Sequence, residues 1–284
     1  AEDADTIVSD IDLDDILILS TRCPKVSSPG KDGLPYPILR LILTHPECKT
    51  LVTSVYNDAI HLGIFPKSWQ ETCIVLLPKK GDATDLANWR PISLINTDCK
   101  VFTRILNSRV IDAANKVITQ FQAGFMPTRF IGDHGLALRI LMEDAKIHNT
   151  GSVGVAIDSA KAYDYVNETY LCKVLTKFGF PPKFIQCISN LFFKNQIVVN
   201  MNGFMSDSVA QKRGLRQGDS ISPVLFNFAL EPLLLAILQD RNIQGYALQT
   251  QSIRKIPSVQ VSAPSPIKLL AYADDLLVIV RNRT

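Results

Sequence analysis

The sequence has no Cys-x-x-Cys pair. Its six cysteines (Cys23, Cys48, Cys73, Cys99, Cys172, Cys187) lie far apart, and its four histidines (His45, His61, His134, His148) do not cluster with them. That spacing argues against both a zinc centre and a disulfide framework. A basic-then-apolar leader is also lacking, and the longest uninterrupted apolar runs are fragments such as 233–238, so no membrane span, membrane partner or targeting signal is expected. The expected location is therefore inside the cell, in the nucleus or the cytoplasm. No Ser/Gly linker tract separates the parts. The first four cysteines are evenly spaced, but their flanking residues do not match, so no internal repeat is read there. What is present is an ordinary globular composition, 46% hydrophobic and 20% charged over 284 residues, enough for one large domain or two small ones.

Charge is unevenly distributed. The first fifteen residues hold seven acids (Glu2, Asp3, Asp5, Asp10, Asp12, Asp14, Asp15) and no base, which leaves thirty bases against twenty acids in the rest of the chain. A net charge of +3 thus conceals a body of +10. Such a body suits a polyanion-binding protein, although a solvated basic surface has the same signature.

The chain is organised around residues 267–280, IKLLAYADDLLVIV, in which two apolar runs, 267–271 and 276–280, flank a short polar interruption. This is the pattern of a β-hairpin with Asp274 and Asp275 at its turn. Adjacent carboxylates on a rigid tip repel one another unless a cation lies between them, and oxygen-only ligands suit Mg²⁺ or Mn²⁺. An ordinary Asp-Asp turn is the other reading of these four residues.

Taken in order, the chain opens with a short helix from Asp12, which caps it, followed by a turn-rich SSPGKDGLPYP and helices over 38–43 and 49–62. An apolar strand over 73–77 runs into Pro78-Lys79-Lys80-Gly81-Asp82, and a second strand, 92–95, follows Arg90-Pro91. Thr97 or Asp98 caps an amphipathic helix carrying Val101, Phe102, Ile105 and Leu106. After the Gly/Pro loop 121–129 (FQAGFMPTR) come a helix over 135–147 and a buried-type strand, 153–157, that ends at Asp158. A helix over 166–178 is followed by two strand runs, 196–201 and 204–210, around Asn202-Gly203, a strong hairpin signal. The loop RGLRQGDS (213–220) precedes a long apolar helix, 224–238, with Ser222 and Pro223 at its start and a bend at Pro232. Residues 241–266 read as polar and turn-rich.

A strand-end Asp158, a glycine-rich loop before a helix and the Asp274-Asp275 hairpin form an order of parts suited to two-metal phosphoryl transfer. The blocks PKKGD…NWRPISL, QAGFMPTR, AIDSAKAYDYV, GLRQGDSISPVLFN and AYADD resemble the successive motifs of reverse transcriptases, those of non-LTR (LINE-type) retrotransposons above all, and SSPGKDGLP resembles the segment preceding them. The likeness runs from about residue 27 to 280.

The resemblance implies an α+β right-hand polymerase fold, with fingers over 27–149, an antiparallel palm sheet backed by helices over 150–284, an N-terminal lead-in over 1–26 and no thumb. It implies RNA-directed DNA synthesis from an RNA template, a DNA primer and dNTPs. Two Mg²⁺ ions, or Mn²⁺, would be held by Asp158, Asp274 and Asp275, which are thereby the catalytic residues. For nucleotide binding it implies Lys79 or its neighbour Lys80, together with Arg90, on the triphosphate. Tyr163 would stand as a steric gate against a ribose 2′-hydroxyl, with Gln217 and Gly218 against the nucleotide and Gly214 allowing close backbone approach. Asp164, in the same block, reads equally as a structural cap or a catalytic group. Tyr165, Thr128 and Ser159-Ala160 depart from the family pattern, and none of them removes a metal ligand. The expectation is a fragment of a longer element protein, poorly active and poorly soluble alone. The alternatives are a decayed or domesticated copy that binds nucleic acid without copying it, which the three surviving carboxylates oppose, and an RNA-dependent RNA polymerase, which Tyr163 opposes.

Overall fold

The computed structural model describes residues 2–23, 27–249 and 265–281. Residues 24–26 of the expected lead-in and 250–264 of the expected turn-rich stretch lie outside the described residues. In chain order the helices are α1 (Glu2–Ile7), α2 (Leu13–Thr21), α3 (Tyr36–Thr44), α4 (Lys49–Leu62), α5 (Thr97–Val117), α6 (Ile131–Ile147), α7 (Glu168–Lys177), α8 (Pro182–Phe193) and α9 (Ser222–Gln239). The strands are β1 (Glu71–Pro78), β2 (Trp89–Leu94), β3 (Val153–Ile157), β4 (Gln196–Met201), β5 (Phe204–Met205), β6 (Val209–Ala210), β7 (Leu269–Tyr272) and β8 (Asp275–Val280). The chain divides into two compact units, 1–113 with 163–229 and 114–162 with 230–284.

In the first unit local chemistry sets the element ends. Asp12 caps α2 by accepting from the Asp15 amide at 2.7 Å, the bond an N-cap aspartate is suited to make. Asn202 and Gly203, at φ +53° and +91°, form the expected two-residue turn between β4 and β5, because that turn needs positive φ at both positions. β1 is antiparallel to β2 and parallel to β4. The parallel pairing needs a long crossover, here everything between residues 78 and 196, so no local pattern in either strand reveals it. The core is aromatic, with Tyr56, Trp69 and Phe102 packed at ring-centroid separations of 5.1–5.9 Å. Against it lies α8, a helix not among those expected from the sequence. Its face Phe184, Cys187, Ile188, Leu191 and Phe192 is fully buried, at a spacing that fits one helical stripe behind Pro182 at the first turn.

In the second unit β3, β8 and β7 form an antiparallel sheet in that order. Leu269, Ala271, Leu276 and Val278 bury one face of it against Leu234 of α9. Two expectations are corrected here. β3 is not a buried strand: it is the edge of this sheet, and Val155 and Ile157 are each 44% exposed. α9 does reach membrane-span length by composition, with 18 residues of mean hydropathy 1.5. The burial of Leu234 among the sheet residues is what a core helix shows.

Candidate active site

The carboxylates of the second unit are placed by strand register. Tyr272 pairs with Asp275, so the β7–β8 turn is only Ala273-Asp274, and Asp275 is the first residue of β8 rather than part of the turn. On the other side of β8, Ile157 pairs with Leu276. One further step of that antiparallel register sets Asp158 beside Asp275. Both carboxylates line one open cleft of about 360 Å³, with Tyr272 of β7 and His134, Gly135 and Leu138 of α6. Asp158 and Asp275 are exposed and Asp274 is half-buried.

Among the described residues, no three His, Cys, Asp or Glu side chains gather closely enough to hold a metal ion. Asp158 and Asp275 therefore share a cleft, whereas the three carboxylates do not form one cluster. Asp274 belongs to the turn and Asp275 to the strand that follows it. The donor set nevertheless fits a hard divalent ion. Mg²⁺ keeps several waters and is held by one or two carboxylates together with substrate phosphates, not by an all-protein cage.

The nucleotide-binding candidates all lie in the first unit. Lys79 follows β1, its Nζ donating to the Ala87 carbonyl at 3.2 Å, and Arg90 pairs with Leu77 across β1–β2. Both are exposed. Because residues two apart on a strand share a face, and so do cross-strand partners, Lys79 and Arg90 lie on one face of this hairpin. Tyr163 is stacked on Phe226 at 4.9 Å and 11°, so its ring plane is fixed.

The loop carrying Gln217 and Gly218 is docked on both neighbours. The Gln217 carbonyl accepts from the Ser93 amide at 2.9 Å, while Leu215 and Gly214 donate to the carbonyls of Tyr163 and Val166 at 2.9 and 2.8 Å. Gln217 Nε2 reaches Asp164 Oδ1 at 3.3 Å, which gives Asp164 a positioning contact in this loop. Gly214, at φ +96°, lies in a conformation that favours glycine, and a Cβ there would press on the Asp164 carbonyl oxygen at 3.0 Å. One residue the sequence analysis passed over holds the loop from inside. Arg216 is 2% exposed and donates to the carbonyls of Trp69 and Leu191 and to Asn195 Oδ1, with Asp219 at 3.9 Å. Burial raises the Asp219 carboxyl, and the Arg216 guanidinium opposes that shift. The i, i+3 charge pair was the one available sign of Arg216 in the sequence.

An antiparallel sheet presents carboxylates at one end, and a basic strand pair and a loop anchored by a buried arginine lie elsewhere in the chain, parts that suit a protein of the polymerase class. The chain belongs to the reverse transcriptase (RNA-dependent DNA polymerase) family, whose model matches residues 77–284. It is 28% identical over 274 residues to the transposon TX1 uncharacterized 149 kDa protein of Xenopus laevis, covering 96% of this chain and 20% of that protein. Likewise it is 27% identical over 266 residues to the Pol polyprotein of a type-1 retrotransposable element R2 from Popillia japonica (91% and 33%). To the RNA-directed DNA polymerase of mobile element jockey from Drosophila melanogaster it is 24% identical over 261 residues (89% and 28%). The chain thus spans between a fifth and a third of the length of these relatives, and their kinds bear out the LINE-type resemblance of its motifs. Among solved structures, it superposes on apo telomerase from Candida tropicalis truncated from its C-terminal domain with TM-score 0.48 and 14% identity, over 83% of this chain and 49% of that one. Members of the family use divalent metal ions.

Proposed function

We propose that this protein copies RNA into DNA, extending a DNA primer with dNTPs, and that Asp158, Asp274 and Asp275 are the carboxylates that hold two Mg²⁺ ions, with Mn²⁺ as a substitute. The observation that carries the reading is the register that brings Asp158 and Asp275 to the same end of one sheet and into one cleft. When bound, the ions supply Lewis-acid activation of the primer 3′-hydroxyl and charge stabilisation at the leaving pyrophosphate. The chain's own part is to bind and orient. Lys79 offers a point charge and Arg90 a planar fork to the triphosphate from one hairpin face. Tyr163, held flat on Phe226, occupies the space of a 2′-hydroxyl and so favours deoxynucleotides. Gln217 and Gly218 present a side-chain amide and bare backbone to the nucleotide from a loop that cannot drift. In this reading the fingers function belongs to 27–149 and the palm function to 150–284.

A second reading, nucleic-acid binding without copying, rests on the exposed Lys79 and Arg90 and needs no metal. Primer extension on an RNA template with dNTPs and Mg²⁺, in the full-length protein, separates the two. Template-directed addition is expected, and binding of primer–template with no Mg²⁺-dependent addition would establish the second reading instead.

A further inference from the structure

Gln122 is fully buried, and its side-chain amide makes two hydrogen bonds to the tip of the Asp274-Asp275 hairpin and one to Gly124 in its own segment. Its Nε2 donates to the Ala273 carbonyl at 3.0 Å, and its Oε1 accepts from the Ala273 amide at 2.8 Å and from the Gly124 amide at 2.8 Å. One side-chain amide thus satisfies both backbone polar groups of the residue immediately before Asp274. Ala273 needs such a hold: it carries a Cβ yet sits at φ +53°, a conformation non-glycine residues keep only where their surroundings over-determine it.

The segment around Gln122 is shaped for this contact. Residues 121–123 run beside β7 like a short extra strand, with the Ala271 amide donating to the Phe121 carbonyl at 2.8 Å and the Ala123 amide to the Ala271 carbonyl at 2.9 Å. Where β7 ends and the turn begins, the Gln122 side chain continues the ladder. Gly124 must lack a side chain, because a Cβ there would lie 2.2 Å from the Ala273 nitrogen. Arg129 fixes Gln122 from behind, donating to its carbonyl at 2.7 Å and to the Ile118 carbonyl and Asn115 Oδ1 at 3.0 and 2.9 Å.

We propose that Gln122 is a positioning residue for the metal-binding hairpin: its amide sets the backbone of the turn that carries Asp274 and leads into Asp275, without itself touching metal or nucleotide. The proposal rests on the metal-binding role given to Asp274 and Asp275 above. Both a donor and an acceptor are needed, so no apolar residue of the same size replaces it, and an ionised glutamate supplies the acceptors but not the donor.

The test uses the full-length protein and Mn²⁺ binding followed by electron paramagnetic resonance, beside amide hydrogen exchange and primer extension. Gln122→Met keeps the volume and loses all three bonds. It is expected to weaken Mn²⁺ binding about 10–100-fold, the range found when a residue supporting metal ligands is lost, with kcat falling more than the dNTP KM changes. The Ala273 and Gly124 amides should lose protection while those of Leu276 and Val278 keep it. Should Gln122→Met fail to fold, Gln122→Glu carries the test. Protonation gives that glutamate back its donor, so its activity relative to wild type should rise as pH is lowered, and the titration of Glu231, present in both proteins, cancels in the ratio. Wild-type Mn²⁺ affinity in Gln122→Met, or a pH-independent ratio in Gln122→Glu, overturns the proposal. Asp274→Asn run in parallel isolates the underlying reading. If it binds Mn²⁺ like wild type, the metal assignment fails, and protection at Ala273 and Gly124 in Gln122→Met still decides whether Gln122 sets the turn.

Discussion

Two buried polar side chains hold two candidate functional segments in this protein, and they do so by different physics. In the first unit Arg216 brings a full charge inside and spreads it over three acceptors and Asp219, directly beside Gln217 and Gly218. In the second unit Gln122 brings a neutral amide to the backbone of Ala273, 151 residues away in sequence. Burying a guanidinium costs far more than burying an amide, and the cost is offset only while every partner remains. The charged anchor therefore holds the whole surrounding core, whereas the neutral one governs a single turn. The longer loop around Gln217 carries its anchor within itself, while a hairpin tip only two residues long has no room for one and takes it from another segment.

That contrast is tested first where the effect is largest. Arg216→Met strips Asp219 of its nearest cation inside the core and removes the guanidinium bonds to Trp69, Leu191 and Asn195, so unfolding stability in urea should fall by about 3–5 kcal/mol. A loss of under about 1 kcal/mol would show that the charge is not what fixes the loop. The Tyr163–Phe226 stack comes next. Tyr163→Ala should lower the preference for dCTP over CTP in kcat/KM by at least about tenfold, some 1.4 kcal/mol, chiefly by admitting the ribonucleotide. An unchanged ratio would return Tyr163 to a purely structural role beside Phe226.

A pH-dependent effect belongs to Glu231, which accepts from the Thr119 amide at 2.9 Å in the segment that leads to Gln122. Burial pushes its carboxyl up to about 7, opposed by the Thr119 hydrogen bond and by Arg129. A carboxyl raised above its unfolded value stabilises the fold at low pH, and that stability is lost as pH rises from the ordinary glutamate range through about 7. Glu231→Gln should flatten this slope and leave the variant more stable above pH 7 by roughly 1–3 kcal/mol. Parallel stability–pH curves for the two proteins would remove Glu231 as their source.

What could be read from the sequence divides along the same line between local and remote. The Asn202-Gly203 turn, the Asp12 cap and the α4 span need only neighbouring residues, and each was legible. Asp158 at the end of β3 and the hairpin carrying Asp274 were equally so, because an apolar strand interrupted by carboxylates is a short-range pattern. The entry of Asp275 into β8 was not, since one residue of turn length is decided by the Tyr272 pairing. The parallel β1–β4 pair, the exposed edge position of β3 and the fit of Gln122 to Ala273 depend on segments far apart in sequence. α8 was different: its stripe and its proline start were present and went unread.

The central claim is that carboxylates at one sheet end carry out metal-dependent copying of RNA. Single-nucleotide primer extension on an RNA template, comparing the full-length protein with Asp158→Asn and Asp274→Asn, tests it most directly. Each substitution removes one charge from where negative charge must be stabilised during transfer, and each should lower kcat by more than about a hundredfold while leaving primer–template affinity near wild type. A variant that binds normally and extends at close to the wild-type rate would contradict the account.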